Sequence, residues 1–227
     1  MIPLKDDNPI SSRPIVTYFL IGLCVVVFLM QLGSQSYRTG QLFYSYGLIP
    51  SVLMGHDQLP MDLYAIPAYM TIFSSMFMHG GWIHLIGNMW YMKIFADNIE
   101  DNLGARNFII FYILCGIGAA MTQVLMNTHS QVPMIGASGA IGGVLGAYLI
   151  NHPNARVLVL IPYMIITIIK IRALYVLGFW FILQFISSGG GIAYAAHIGG
   201  FVSGMILILF FNKKTKRKTK VIRGPWS

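Results

Sequence analysis

Ser138 and His197 are the pair in this sequence whose chemistry could break a peptide bond. A serine hydroxyl is a weak nucleophile until a base, commonly histidine, stands within hydrogen-bond reach. Ser138 lies in Gly136-Ala137-Ser138-Gly139, where an apolar helix is expected to begin. A helix start exposes unpaired backbone N–H groups that can hold a developing oxyanion, and the flanking Gly136 and Gly139 permit close approach to a substrate carbonyl. His84 and Asn88 are four residues apart, hence about 40° apart on one helical face, and both can donate into a shared cavity. His79, five residues before His84, falls about 140° away on that wheel, so it faces elsewhere and supports the adjoining loop. Gln184 is expected to bond a neighbouring helix rather than a substrate. No acid lies near these groups, so a Ser-His dyad is the consistent variant and a Ser-His-Asp triad is not.

These side chains need elements to carry them, and composition names the class. Apolar residues make up 56% of the 227 and charged residues 10%, against roughly 25% charged in a soluble domain. All seven acids (Asp6, Asp7, Asp57, Asp62, Asp97, Glu100 and Asp101) fall outside the long apolar runs, as the cost of a carboxylate in hydrocarbon demands. The net charge of +8 is concentrated in the tail after the last apolar run. That position fits a cytoplasmic anchor on anionic lipid and argues against nucleic acid as a partner. Cys24 and Cys115 lie within apolar runs and are expected as packed thiols. The run from Ile15 to Leu32 is long for a signal-peptide core and has no convincing cleavage site after it.

A membrane-crossing helix needs about 20 apolar residues. Six spans are expected, at about 14–33, 71–96, 107–126, from Ser138 to the Asn-His-Pro stop at 151–153, 173–186 and 192–211. The fold class is therefore an all-α polytopic membrane protein, a six-helix bundle with both termini cytoplasmic. Its parts are a cytoplasmic segment 1–13, a membrane domain 14–211 with a long interfacial loop at about 34–69, and a basic cytoplasmic tail 212–227. The apolar, β-branched stretch 157–169 contains Pro162 and runs into Lys170 and Arg172; it is expected as a connecting segment at the membrane face. Six spans place Lys5, Arg13, Arg106, Arg156, Lys170, Arg172 and the tail inside and leave Arg38 outside, in accord with the positive-inside rule. The same topology puts His79, His84, Ser138 and His197 at a similar depth near the outer face. Gly139 and Gly143, and Gly200 and Gly204, are each four apart. That small-xxx-small spacing would let the helices of Ser138 and His197 pack tightly.

In order along the chain, His79-x4-His84-x3-Asn88, Gly136-Ala137-Ser138-Gly139 and Ala196-His197-x2-Gly200-x3-Gly204 resemble the rhomboid intramembrane proteases. Glu100-Asp-Asn-Leu-Gly104 is similar to the family's connection between second and third helices, and the resemblance runs from about Gly47 to the end of the sixth span. It implies Ser138 as nucleophile and His197 as general base. It further implies an oxyanion hole from His84, Asn88 and the Ser138 N–H. Substrates would be single-span membrane proteins cut near the outer face after a small residue, with spans two and five, including Phe179 and Trp180, flanking their lateral access. The chain departs from the family at Gly142, four residues after the serine, where members often carry an aromatic ring packed on the histidine. His197 must then be held differently, with a ring from another span one way to do it.

Competing readings fare less well. A metal site of His79, His84 and His197 lacks the four-residue His spacing and intervening Glu of zincin helices, so no metal or other cofactor is expected. A helix-binding pseudoprotease would usually have lost the serine or the histidine. A transporter would keep embedded acids or an internal repeat. An integral protein of a bacterial plasma membrane is expected, since no long targeting extension precedes the first span. Membrane lipid and the substrate helix are the expected partners.

Overall fold

A computed structural model describes residues 1–34, 36–162, 166–186 and 193–211. The basic tail, the glycine turn at 189–191 and the expected start of the last span at Ile192 lie outside them. The chain is mostly helical. Among the described residues three helices are long and apolar enough to cross a membrane: α1 (Ile15–Gly33), α6 (Ala105–Met126) and α9 (Tyr194–Phe211). Between α1 and α6 come α2 (Ser36–Tyr46), the short α3 (Pro50–Leu53) and α4 (Thr71–Ser74), and then α5 (Trp82–Leu103). The expected loop at 34–69 thus contains helical turns of its own.

The expected span at 71–96 is corrected. Helical structure beginning at Ala68 breaks after Phe77, and α5 starts only at Trp82, after Gly80-Gly81, and runs on to Leu103. Two successive glycines interrupt a helix because each carries a large entropy cost. His79 therefore precedes the helix, and the helical-wheel angle assigned to it does not apply.

The fold is not all-α. Strands β1 (Ile2–Asp6), β2 (Arg156–Pro162) and β3 (Ile166–Arg172) form an antiparallel sheet in that order, pairing Ile2 with Leu160 and Arg156 with Arg172. The described residues of the expected connecting segment at 157–169 are thus two antiparallel strands. Their β-branched residues suit a pleated surface, and the alternating Val157 and Val159 are buried. Strand β3 runs directly into α8 (Ala173–Ile186). The N-terminal strand is tied inward as well: Trp90 Nε1 donates to the Pro3 carbonyl at 2.6 Å, and Tyr148 Oη and Asn98 Nδ2 donate to the Asp6 carboxylate at 2.5 and 3.0 Å.

At the start of α1, the Glu100 carboxylate accepts from Val16 N, Thr17 N and Thr17 Oγ1 at 2.9, 2.7 and 2.8 Å. An acid at this end satisfies orphan N–H groups and complements the helix dipole. This bond set joins α1 to the far end of α5.

Helix α7 (Ser138–Asn151) is the centre of the molecule, with every residue from Gly139 to Tyr148 buried. Its small residues allow that. Gly200 lies against the Gly139 backbone, and Gly204 against that of Gly143, so closely that a Cβ on either would overlap the opposing carbonyl. The α7 and α9 backbones meet along this line, which sets Ser138 opposite His197.

Candidate active site

Ser138 opens α7 and His197 lies in the first turn of α9. Ser138 Oγ and His197 Nε2 are 2.8 Å apart, at hydrogen-bond distance. A serine hydroxyl held this way can pass its proton to the ring as it attacks. Both residues line a cavity of about 940 Å³ with His84, Asn88, Gly136 and Trp180. The first N–H groups of α7 have no intrahelical acceptor, so this helix start also offers backbone donors.

The segment leading to Ser138 is held from two sides. Leu48 and Met134 exchange backbone hydrogen bonds at 3.0 and 2.7 Å, and Gly136 N donates to the Ser75 carbonyl at 2.8 Å. Gly136 adopts φ +124°, a conformation that L side chains rarely take, and its Cα faces the His84 ring.

His84 lies in the first turn of α5. Its Nδ1 accepts from Gly80 N at 3.3 Å. A backbone N–H can only donate, so in the neutral ring the proton sits on Nε2, which faces Gly136. Asn88, one turn further along, is buried, and its Nδ2 has no hydrogen-bond partner among the described residues. An unpaired buried amide donor is costly unless something arrives to accept from it.

His79 is fully buried beside this group rather than in the cavity lining. The Gln31 side chain on α1 both donates to the His79 carbonyl and accepts from its N–H, each at 3.1 Å. The His79 ring meets the His84 ring edge-on with centroids 5.2 Å apart. It therefore wedges His84 from behind instead of facing away from it.

Helices α8 and α9 supply what surrounds His197. Trp180 of α8 lies over the imidazole, with centroids 5.8 Å apart and planes inclined by 35°, and Tyr194 approaches it edge-on. At Gly142 a Cβ would stand 3.0 Å from the His197 carbonyl and 3.7 Å from the Trp180 ring. The ring on His197 thus comes from α8, and the space that a side chain at 142 would need is closed. Phe179, by contrast, is exposed. Gln184 of α8 reaches across to His197, with Oε1 2.8 Å from Nδ1. A lone Gln in an apolar run announces only that it needs a partner; nothing in the sequence says that the partner is His197.

A family model described as Rhomboid domain matches residues 67–214. Among curated proteins, "RHOMBOID-like protein 5" of Arabidopsis thaliana is 30% identical over 60% of this chain and 42% of its own length. "Rhomboid protease GluP" of Bacillus subtilis (strain 168) is 27% identical over 86% of this chain and 34% of its own length. "Putative rhomboid protease YdcA" of the same organism is 31% identical over 62% of this chain and 66% of its own length. The chain thus spans less than half the length of the first two of these relatives.

Proposed function

This chain belongs to the rhomboid family, and from that premise we propose that it is an intramembrane serine endopeptidase with Ser138 as nucleophile and His197 as general base. The observation that carries the reading is the 2.8 Å contact between Ser138 Oγ and His197 Nε2 at the wall of a cavity that Asn88 also lines, its amide nitrogen without a partner among the described residues.

In this reading a substrate segment enters the cavity from the membrane. Ser138 Oγ attacks the scissile carbonyl while its proton passes to His197 Nε2. The resulting oxyanion is held by His84 Nε2–H, Asn88 Nδ2–H and the Ser138 N–H, groups fixed before substrate arrives. The imidazolium then protonates the departing amine, leaving an acyl-enzyme that water hydrolyses by the reverse proton path. Gly139, Gly143, Gly200 and Gly204 serve by keeping α7 and α9 close enough for the pair to meet. His79 and Gly136 hold His84 in place. Helices α1 and α5 to α9 make six crossings with both termini on the cytoplasmic side, and the substrate is a single-span membrane protein. The residence is a bacterial plasma membrane, with no cofactor.

The test is reconstitution in liposomes with a generic single-span substrate. Wild type should cut, and Ser138→Ala and His197→Ala should not. Cleavage that persists in both variants would sink the mechanism.

A further inference from the structure

We infer that Gln184 is the positioning residue of His197, fixing which ring nitrogen faces Ser138; the inference rests on the proposed roles of Ser138 and His197. Gln184 is buried on α8, in a helix that is otherwise almost wholly apolar. Its Nε2 donates to the Trp180 carbonyl at 2.7 Å. That carbonyl can only accept, so the amide nitrogen must face it and Oε1 must face His197. Oε1 carries no proton. The 2.8 Å contact with Nδ1 therefore requires the proton on Nδ1. In a neutral imidazole Nε2 is then the bare acceptor, 2.8 Å from Ser138 Oγ.

The chain Trp180 carbonyl, Gln184 amide, His197 ring, Ser138 hydroxyl thus has one consistent direction of donation. It selects the tautomer that can take a proton from serine. The opposite tautomer would aim an N–H at the hydroxyl and leave two acceptors facing each other at Nδ1. A carboxylate does this task in a Ser-His-Asp triad. Among the described residues no carboxylate bonds to His197, and a neutral amide occupies the place. The Trp180 ring restrains the imidazole from its face, while Gln184 restrains rotation of the ring about its bond to the chain. Gly142 carries no side chain to share either task. When the ring takes the serine proton, Nδ1–H keeps the same acceptor, so the amide need not move during the step.

The experiment measures the rate at which a fluorophosphonate probe labels the full-length protein in detergent across about pH 5–9, with thermal unfolding to establish that each variant is folded. Gln184→Leu should label about 10- to 100-fold more slowly on the plateau, by analogy with the loss when the group that orients a metal-bound histidine is removed. Gln184→Glu restores an acceptor at Nδ1. It should recover most of that loss, and the acid limb of its rate profile should move to higher pH because a carboxylate favours the imidazolium. A merely structural role away from Nδ1 would produce neither the recovery nor the shift, since both require the side chain at 184 to face that nitrogen. Gln184→Leu labelling at the wild-type rate with an unmoved profile overturns the inference. So does a folded Gln184→Glu protein that labels as slowly as Gln184→Leu. Should Gln184→Leu fail to fold, the Gln184→Glu profile decides alone: a shifted acid limb supports the inference and an unmoved one overturns it. Failure of the protease reading itself looks different, as wild type that does not label or Ser138→Ala that labels equally fast.

Discussion

Gly136 lies beneath the imidazole of His84, so close that a Cβ at 136 would stand 2.7 Å from Nε2 and 2.8 Å from Cε1. Its φ of +124° is a second reason for glycine, since an L side chain there is strained whatever the space. Gly136→Ala would therefore push the ring away from the cavity and distort the turn that presents Ser138. We expect a fall in cleavage rate of at least about tenfold, the effect of misplacing one stabilising donor by a fraction of an ångström. Initial rates in liposomes check this. Gly139→Ala makes a useful contrast, because its Cβ would meet Ala119 Cβ at 2.6 Å. That variant should lower the unfolding temperature as well as the rate.

In the proposed mechanism Asn88 Nδ2–H and His84 Nε2–H are the side-chain donors to the oxyanion. Asn88 is the sharper probe because its amide nitrogen is buried with no partner among the described residues. Asn88→Ala should lower kcat by about 10²- to 10³-fold with little change in KM, the size seen when one oxyanion donor is removed. Since the deletion also relieves an unpaired donor, stability should hold or rise. Loss of stability together with an unchanged kcat would assign Asn88 to packing. His84→Ala should lose a comparable factor in rate. It should also destabilise, because it removes the ring that His79 packs against and the acceptor for Gly80 N.

What the sequence makes legible here is what depends on local pattern. Ser138 follows a Gly-Ala pair and begins an apolar run, and α7 starts at that residue. The four-residue spacing of Gly200 and Gly204 marks a face narrow enough for backbone contact, and that face meets α7. Hydrophobicity averaged over 71–96 hides the break that sets His79 outside α5, although Gly80-Gly81 is the signal for it. The sheet could not be read from 157–169 alone. An apolar β-branched run fits several conformations, and the strand that completes it, Ile2–Asp6, comes from the other end of the sequence. Gln184 and Trp180 are visible as a polar and an aromatic residue on one helix. Their convergence on His197 is a tertiary fact that no local spacing encodes.

Glu100 is almost fully buried, at 2% exposure, and accepts three hydrogen bonds from the first turn of α1. Removing the carboxylate leaves those donors without an acceptor in a place water reaches poorly. Glu100→Ala should cost about 2–3 kcal/mol, near the value of hydrogen bonds to a charged group. Glu100→Gln keeps one acceptor oxygen and should lose less. Thermal unfolding in detergent separates the two. Because Glu100 stands at the opposite end of α5 from His84, the variants that remain folded should retain most of the labelling rate of Ser138.

Asp6 offers a pH-dependent check on the sheet. Burial raises its carboxyl above the ordinary 3.8, and the hydrogen bond from Tyr148 offsets this only in part. A carboxyl whose folded value is raised favours folding while it is protonated. Its contribution is fully present below 3.8 and is lost as pH rises through the folded value. The unfolding temperature of wild type should therefore carry a component that declines between those two values as pH rises. Asp6→Asn removes the titrating group but keeps an oxygen for Tyr148 Oη and Asn98 Nδ2 to donate to. In that variant the component should vanish, with stability at neutral pH equal to wild type or higher. Asp6→Ala removes the acceptor as well, and should loosen β1 from α5 and α7 at every pH. Equal pH dependence in wild type and Asp6→Asn would place the titration elsewhere.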